Sequence, residues 1–525
     1  MLHKINISAK FEVVKGRKNR MKKIVAKKVI TMGMTAVMLA GSLAAGTDAS
    51  AAKKLSVSKG KITLEVGKKK TIKANMSAKF SVSNKKIVSL KSVKKKQCTV
   101  VAKKKGSCTI TVKANKQVKK IKVTVNKKTT QAPASNAELE NLTMVEKVNH
   151  FGFSMLNQLD EGKNIIISPY SIMMAMTMVD NAADGTSKEE MEKAFGITDL
   201  DQWNKEFSEY YKNYMNQPES ENTSILRTAN SIWKNEQNFS FDSEVQKTYM
   251  QKMLELYGAE EKSMDFVNGN PMDQINSWVD EKTEGMIEKL YENPIGENIE
   301  SVLVNAVYFN GKWQNPFGEG STWKSEFKGK SGTTEVDMMH DHEYYCHYLE
   351  KGSLAVAEFP FKGDNLVMDV VLAKKDASTI EEFAKLSNTE KSALFQEVSQ
   401  ADREMLDVSL PKFKMTYGSK EITGDLKKMG ITSIFNAKKA QLPGLRGDND
   451  SNIYVDSVVH QAVIEVDEGG AKAAAATGTM IGDTMVIGKD FDVNKPFVCV
   501  LRDKNTNMIY FMGQVDDLTE ENQMN

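Results

Sequence analysis

Three stretches of this chain carry residue types that could do chemistry. His342-Glu-Tyr-Tyr-Cys-His347 approaches a zinc-protease helix, where two histidines four residues apart share one helical face. Here the second histidine comes one place late and leaves that face. Tyr344 and Tyr345 read as strand, so the segment predicts no metal site even with His340 beside it. The second stretch is Glu465-Val-Asp-Glu-Gly-Gly-Ala-Lys-Ala-Ala-Ala-Ala-Thr-Gly478, four consecutive alanines after a glycine pair. Read alone it is a short helix or a linker, because Ala is the best helix former. The third is an export segment. Lys22, Lys23, Lys27 and Lys28 precede an apolar stretch from Val29 to Ala45, and Ala49-Ser50-Ala51 supplies a small-residue cleavage site. No G-x-S-x-G elbow and no phosphate-binding G-x-x-x-x-G-K-S/T loop occurs, so those hydrolase and nucleotide chemistries have no bearer. No cofactor is implied.

The elements that must position these residues divide by charge. The 525-residue chain carries a net +4, from 72 basic and 68 acidic side chains. Residues 1–52 carry +8 and residues 53–128 carry +24, the latter from 25 Lys against the single acid Glu65. To reach +4, the remainder must carry −28. A signal peptide is predicted over 1–51, with Met21 as the effective start, and the mature protein is expected to be secreted, extracellular or associated with the cell surface. The competing reading of the apolar stretch is an N-terminal membrane anchor. Four Cys do not make a disulfide framework in a chain of this size. Cys98 and Cys108 flank the turn Lys103-Lys104-Lys105-Gly106 and could pair across a hairpin; the spacing leaves this open. Cys346 and Cys499 read as buried thiols.

Residues 52–127 alternate with period two: Ile62, Leu64 and Val66; Cys108, Ile110 and Val112; Ile121, Val123 and Val125. That pattern predicts a small all-β sandwich. The stretch Phe80-Ser-Val-Ser-Asn-Lys-Lys-Ile-Val-Ser-Leu90 resembles bacterial immunoglobulin-like domains of surface proteins. Almost every outward position is Lys, which favours an anionic polymer as partner, a cell-wall polymer or a mucin. The competing reading is a solvated spacer. Nucleic acid is disfavoured, because the module has no Arg and only one aromatic, Phe80. A polar linker over 128–137 precedes the last domain, 138–525.

That domain reads as α+β. Asn270-Pro271 can open a helix whose apolar face is Ile275, Trp278 and Val279, with Gly285 as its stop. Strands are predicted at Val302–Phe309, Leu366–Leu372 and Phe497–Leu501. Several motifs then occur together in order. They are Asn164-Ile-Ile-Ile-Ser-Pro-Tyr-Ser-Ile172, Ile275-Asn-Ser-Trp-Val279, and Leu303-Val-Asn-Ala-Val-Tyr-Phe-Asn-Gly-Lys-Trp313. Leu410-Pro-Lys-Phe413, Leu426-Lys-Lys-Met-Gly430, His460 through Thr477, Asn494-Lys-Pro-Phe497 and Phe511-Met-Gly513 follow. Over residues 138–520 this resembles the serpin family of serine protease inhibitors.

The resemblance implies three β-sheets, about eight or nine helices and an exposed reactive loop near the C-terminus. It implies a suicide inhibitor, not an enzyme. A protease cleaves the loop, which inserts as a new strand while the acyl-enzyme is still attached. Glu468, Gly469, Gly470, Ala471, Ala473, Ala474, Ala475 and Ala476 become the loop hinge. Ala471, Ala473, Ala475 and Thr477 would then face the core and Lys472 water. Ala471 departs from the Thr or Ser common there, but is still small. The scissile bond is Thr484-Met485 or Met485-Val486, depending on which end of the loop is counted from. Neither carries Arg or Lys, so an elastase-like or subtilisin-like protease is expected. Ser168, Ser171, Asn305 and His460 match the family's hydrogen-bonded shutter, and Trp313 the aromatic where insertion begins. The protein is expected to act as a monomer. The alternative is a non-inhibitory serpin-like surface adhesin or binding protein.

Overall fold

The computed structural model describes residues 54–126, 136–519 and 522, except 59, 66–67, 160–162, 216–223, 237–243, 297–298, 300, 364, 375–376, 447–452 and 472–487. The export segment therefore lies outside the described residues, as do Ala473, Ala474, Ala475, Ala476, Thr484, Met485 and Val486. The chain divides between Lys128 and Thr129 into two compact units. Among the described residues no helix is long and apolar enough to cross a membrane.

The first unit is all β. Its strands are β1 (Lys61–Glu65), β2 (Lys69–Lys73), β3 (Lys79–Val82), β4 (Val88–Lys94), β5 (Gln97–Ala102), β6 (Gly106–Ala114) and β7 (Gln117–Asn126). They form a four-stranded sheet in the order β1-β7-β6-β3 and a three-stranded sheet, β2-β5-β4. Alternation places Ile62, Ile72, Val88, Val100, Ile110, Val112, Ile121 and Val123 in one buried cluster. Cys98 and Cys108 lie in this cluster as free thiols, on strands that belong to different sheets. They are therefore not hairpin partners. Burial pushes Cys98 up to about 11, which keeps it an unreactive thiol at neutral pH.

The second unit mixes helices with longer strands. They begin with β8 (Ile165–Ile167), β9 (Ile225–Asn235), β10 (Ala259–Met264), β11 (Ser301–Lys312) and β12 (Thr322–Lys328). Next come β13 (Thr333–Lys351), β14 (Leu354–Pro360), β15 (Leu366–Ala373), β16 (Arg403–Pro411) and β17 (Phe413–Glu421). The last are β18 (Val459–Val466), β19 (Gly470–Ala471), β20 (Lys489–Asp492), β21 (Phe497–Asp503) and β22 (Ile509–Val515). One nine-stranded sheet runs β20-β16-β13-β14-β15-β21-β22-β8, with β12 on β13. Its members join because β13 is 19 residues long and bends at a bulge between Asp341 and Tyr344. The other strands form β10-β9-β11-β19 and, separately, the pair β17-β18.

Eleven α-helices are described, against the eight or nine expected; three of them, at 136–140, 379–383 and 443–446, are only one turn or little more. The helix Pro271–Lys282 buries Ile275, Trp278 and Val279 as its spacing predicts. Asn270 differs from a conventional cap: it is left-handed (φ 51°), and its side chain bonds Asp273 rather than the helix backbone. The nine-stranded sheet buries an ionic cluster. Arg502 donates to Asp369 at 2.5 Å and to Glu358 at 2.7 Å, tying β21, β15 and β14 together.

Candidate functional site: a hinge above an open sheet

β11 and β18 are neighbours in space, yet no hydrogen-bonded ladder joins them among the described residues. Both present the same alternation. Val307 and Phe309 of β11, with Ala462, Ile464 and Val466 of β18, enter the main core. Val302, Val304 and Ala306 of β11, with Val463 of β18, pack instead in a second cluster with Ile275, Trp278 and Val279 of the covering helix.

The upper end of the gap is already occupied. After β18 the chain reverses at Asp467, whose carboxylate accepts the amides of Gly469 and Gly470 at 2.9 Å each. Gly470 and Ala471 then pair antiparallel with Lys312 and Gly311. Only glycine fits at 470: φ is +145°, and a Cβ there would lie 2.0 Å from the Gly311 carbonyl oxygen. Trp313, fully buried, holds the reversal from below. Its amide donates to Gly469 O at 2.8 Å and its Nε1 to Asp467 O at 2.9 Å, while its ring stacks on Phe361 at 4.3 Å. Glu468 accepts from Lys412 at 2.9 Å and from Thr322 at 2.8 Å. Burial opposes its charge, but these two bonds hold the carboxyl below the ordinary range.

Beneath the gap the structure brings together all four residues singled out there. The His460 Nε2 accepts the Ser168 amide at 3.1 Å, and the Ser168 hydroxyl accepts the Ser171 amide at 3.2 Å. Ser168 is thereby the N-cap of the helix Pro169–Ala182. The Ser171 hydroxyl donates to Asn305, and Asn305 donates to Asn230. Asn230 in turn donates to Tyr257 O at 2.6 Å. One buried chain of hydrogen bonds thus runs from β18, across a helix N-terminus, to β11 and β9. Sequence reasoning missed Asn230, Glu468's partners Lys412 and Thr322, and the Asp467 turn. Asn230 has one weak signal, an Asn at a position that strand alternation turns inward.

Burial pushes His460 down to about 4. The ring is therefore neutral at pH 7, and because Nε2 accepts, its proton sits on Nδ1. The folded value lies below the ordinary 6.5, so its stabilisation is complete above pH 6.5 and is lost as pH falls towards 4. Asp180, pushed up by burial to about 8, titrates with the opposite sign. Substitution separates the two. Between pH 7 and 4.5 the wild type is expected to lose about 2–3 kcal/mol relative to His460→Gln. Denaturant melts that stay parallel over that range would show that burial does not lower His460 and that it protonates in the folded state as it does in the unfolded chain.

The histidines of the zinc-like stretch lie on strand β13. His342 Nδ1 meets Asp407 at 2.9 Å, His347 Nδ1 meets Ala401 O at 2.6 Å, and His340 stacks on Trp323. Each is engaged with a different neighbour, and they do not converge on one point.

An α+β domain with no ladder between β11 and β18, a polar hydrogen-bonded chain beneath that gap and a short strand paired onto the end of β11 is the architecture with which known proteins are compared. A family model described as Serpin (serine protease inhibitor) matches residues 146–518, and the chain belongs to the serpin family. Iripin-1 of Ixodes ricinus is 33% identical over 392 residues, spanning 70% of this chain and 93% of that protein. The leukocyte elastase inhibitor of Homo sapiens is 30% identical over 371 residues, spanning 69% and 95%. The native structure of the thermophilic serpin Tengpin superposes with a TM-score of 0.64 at 28% identity, over 72% of this chain and 95% of that one. Residues 58–126 match a model described as the Pilus formation protein N terminal region, which fits an additional N-terminal domain. The immunoglobulin-like resemblance is a different and finer statement than this match.

Proposed function

We infer that the protein is a secreted suicide inhibitor of serine proteases, acting as a monomer and not as an enzyme, with elastase-like or subtilisin-like targets. The observation that carries this reading is the antiparallel start of β19 on β11. Continued in the same register, Ala473 comes opposite Phe309, Ala475 opposite Val307 and Thr477 opposite Asn305. Phe309 and Val307 are core residues, so this register supports alanines facing the core. Thr477 arrives as a hydroxyl beside the polar chain. The end of β11, Ser301, comes opposite Ile481, which leaves Thr484, Met485 and Val486 beyond the inserted strand.

In this reading the protease serine attacks the carbonyl of Thr484 or Met485. An ester forms, and the amine of the following residue leaves. Insertion of the cut loop then carries the attached protease away before water can reach the ester. The name of the leukocyte elastase inhibitor supports an elastase-like target. The Lys-rich first unit would hold the exported protein at an anionic surface. Incubation with pancreatic elastase or subtilisin is expected to give an SDS-resistant band shifted by the protease mass. Appearance of cleaved chain and fully active protease alone would overturn the inhibitor reading and favour the surface-binding protein, which the +24 module supports by itself.

A further inference from the structure

The lysines of the first unit are not spread evenly in kind over its two sheets. On the outer face of β1-β7-β6-β3, Lys61 stands directly beside Lys122, and Lys79 directly beside Lys113. Lys120 lies beside Thr111, which lies beside Ser81. Thr63, Thr124 and Ser107 form another row, and Thr109 lies beside Lys122. All five lysines are exposed, and none is in an ion pair among the described residues. On the outer face of β2-β5-β4 the pattern differs. Lys73 and Lys94 both face Gln97, Lys91 faces Thr99 and Lys69 faces Val101.

Like charges directly opposite one another destabilise a sheet. A surface needed only for solubility would avoid them or mix the signs, as the other face avoids them. The four-stranded face instead accepts two such pairs, and hydroxyls take most of its remaining positions, the others being the exposed Val118 beside Lys113 and, at the end of the register, Glu65 beside Asn126. Strand spacing of about 4.8 Å and a same-face repeat of about 6.6 Å make a grid of ammonium groups and hydroxyl donors. Compact point charges suit closely spaced tetrahedral anions. With no Arg fork and no aromatic on this face, planar carboxylate recognition and stacking on bases or sugar rings have no counterpart.

We propose that this face, and not the module's net charge, binds a linear phosphodiester polymer of the polyol-phosphate kind. The proposal rests on the reading of the first unit as a surface-binding module and names its face and its ligand. The full chain is titrated with poly(glycerol phosphate), a sulfated glycan and duplex DNA at several salt concentrations. Lys61→Gln/Lys122→Gln is compared with Lys73→Gln/Lys91→Gln, which removes the same charge from the other face. The first pair is expected to weaken poly(glycerol phosphate) binding at least tenfold and to reduce the salt slope by about 1.4, and the second less than twofold. Because the first pair relieves a repulsion, its melting temperature should hold or rise, which separates lost binding from unfolding. Equal losses in both variants would sink the face assignment. Equal or tighter binding of the sulfated glycan or DNA would sink the choice of ligand. Wild-type binding to none of the three would sink the surface-binding reading beneath both.

Discussion

Replacing Ala475 by Arg is expected to turn the protein from a trap into a substrate. In the register begun by Gly470 and Ala471, position 475 comes opposite Val307, whose side chain lies in the main core. A guanidinium carried to that place would be buried without a partner, at a cost of several kcal/mol. Cleavage precedes insertion and should keep its rate, while the partition towards the trapped complex should fall on the order of 100-fold, equivalent to about 3 kcal/mol. Lys472→Glu is the control. Its register partner Asn310 is half-exposed, so a charge there stays wet. Titration of protease activity against inhibitor gives both numbers. Undiminished trapping by Ala475→Arg would mean that the loop does not enter in this register.

Glu468→Lys is expected to open the top of the sheet. Glu468 lies where the chain leaves β18, largely buried, and its two bonds reach Lys412 just beyond β16 and Thr322 at the start of β12. Reversing its charge sets two ammonium groups together and leaves the Thr322 hydroxyl without its acceptor. Breaking one side of a fully buried pair costs about 3–5 kcal/mol, and partial exposure here reduces that to about 2–3 kcal/mol. The melting temperature should fall by roughly 3 °C. A second consequence follows from the strand edges: a freed hinge exposes the facing edges of β11 and β18, so mild heating should produce oligomers on size exclusion. Lys412→Glu in the same chain should restore much of both. A Glu468→Lys protein with wild-type melting and no oligomers would show that the hinge is not held by this bond.

Much of this site is legible in the amino-acid sequence, and the legible part is local. Period-two alternation marks the first unit as a sandwich and gives Val302–Phe309 as the centre of β11. The same alternation is what leads one to expect Ala471, Ala473 and Ala475 on a single face. Ser168, Ser171, Asn305 and His460 are legible because each sits in one of the motifs that carry the resemblance, and the structure brings the four together. Asn230 sits in no such motif, and only the pairing of β9 with β11 brings it to Asn305. The turn at Asp467 depends on side-chain bonds to amides two and three residues on, and the Glu468 contacts join residues 56 and 146 positions apart. No short-range pattern encodes such separations. Cys98 and Cys108 show the converse hazard. They flank one tight connection in sequence, yet β5 and β6 go to different sheets because their partners are β2 and β4, and β7 and β3.

The central claim is that the gap between β11 and β18 receives the loop as a strand. It is tested most directly by cutting the loop between residues 480 and 487 with a protease that is not trapped, then melting the purified, nicked protein. About ten new ladder hydrogen bonds would stabilise it by on the order of 10 kcal/mol. For a unit of this size that corresponds to a melting temperature at least roughly 10 °C above that of the intact protein. A nicked protein that melts with or below the intact one would contradict insertion.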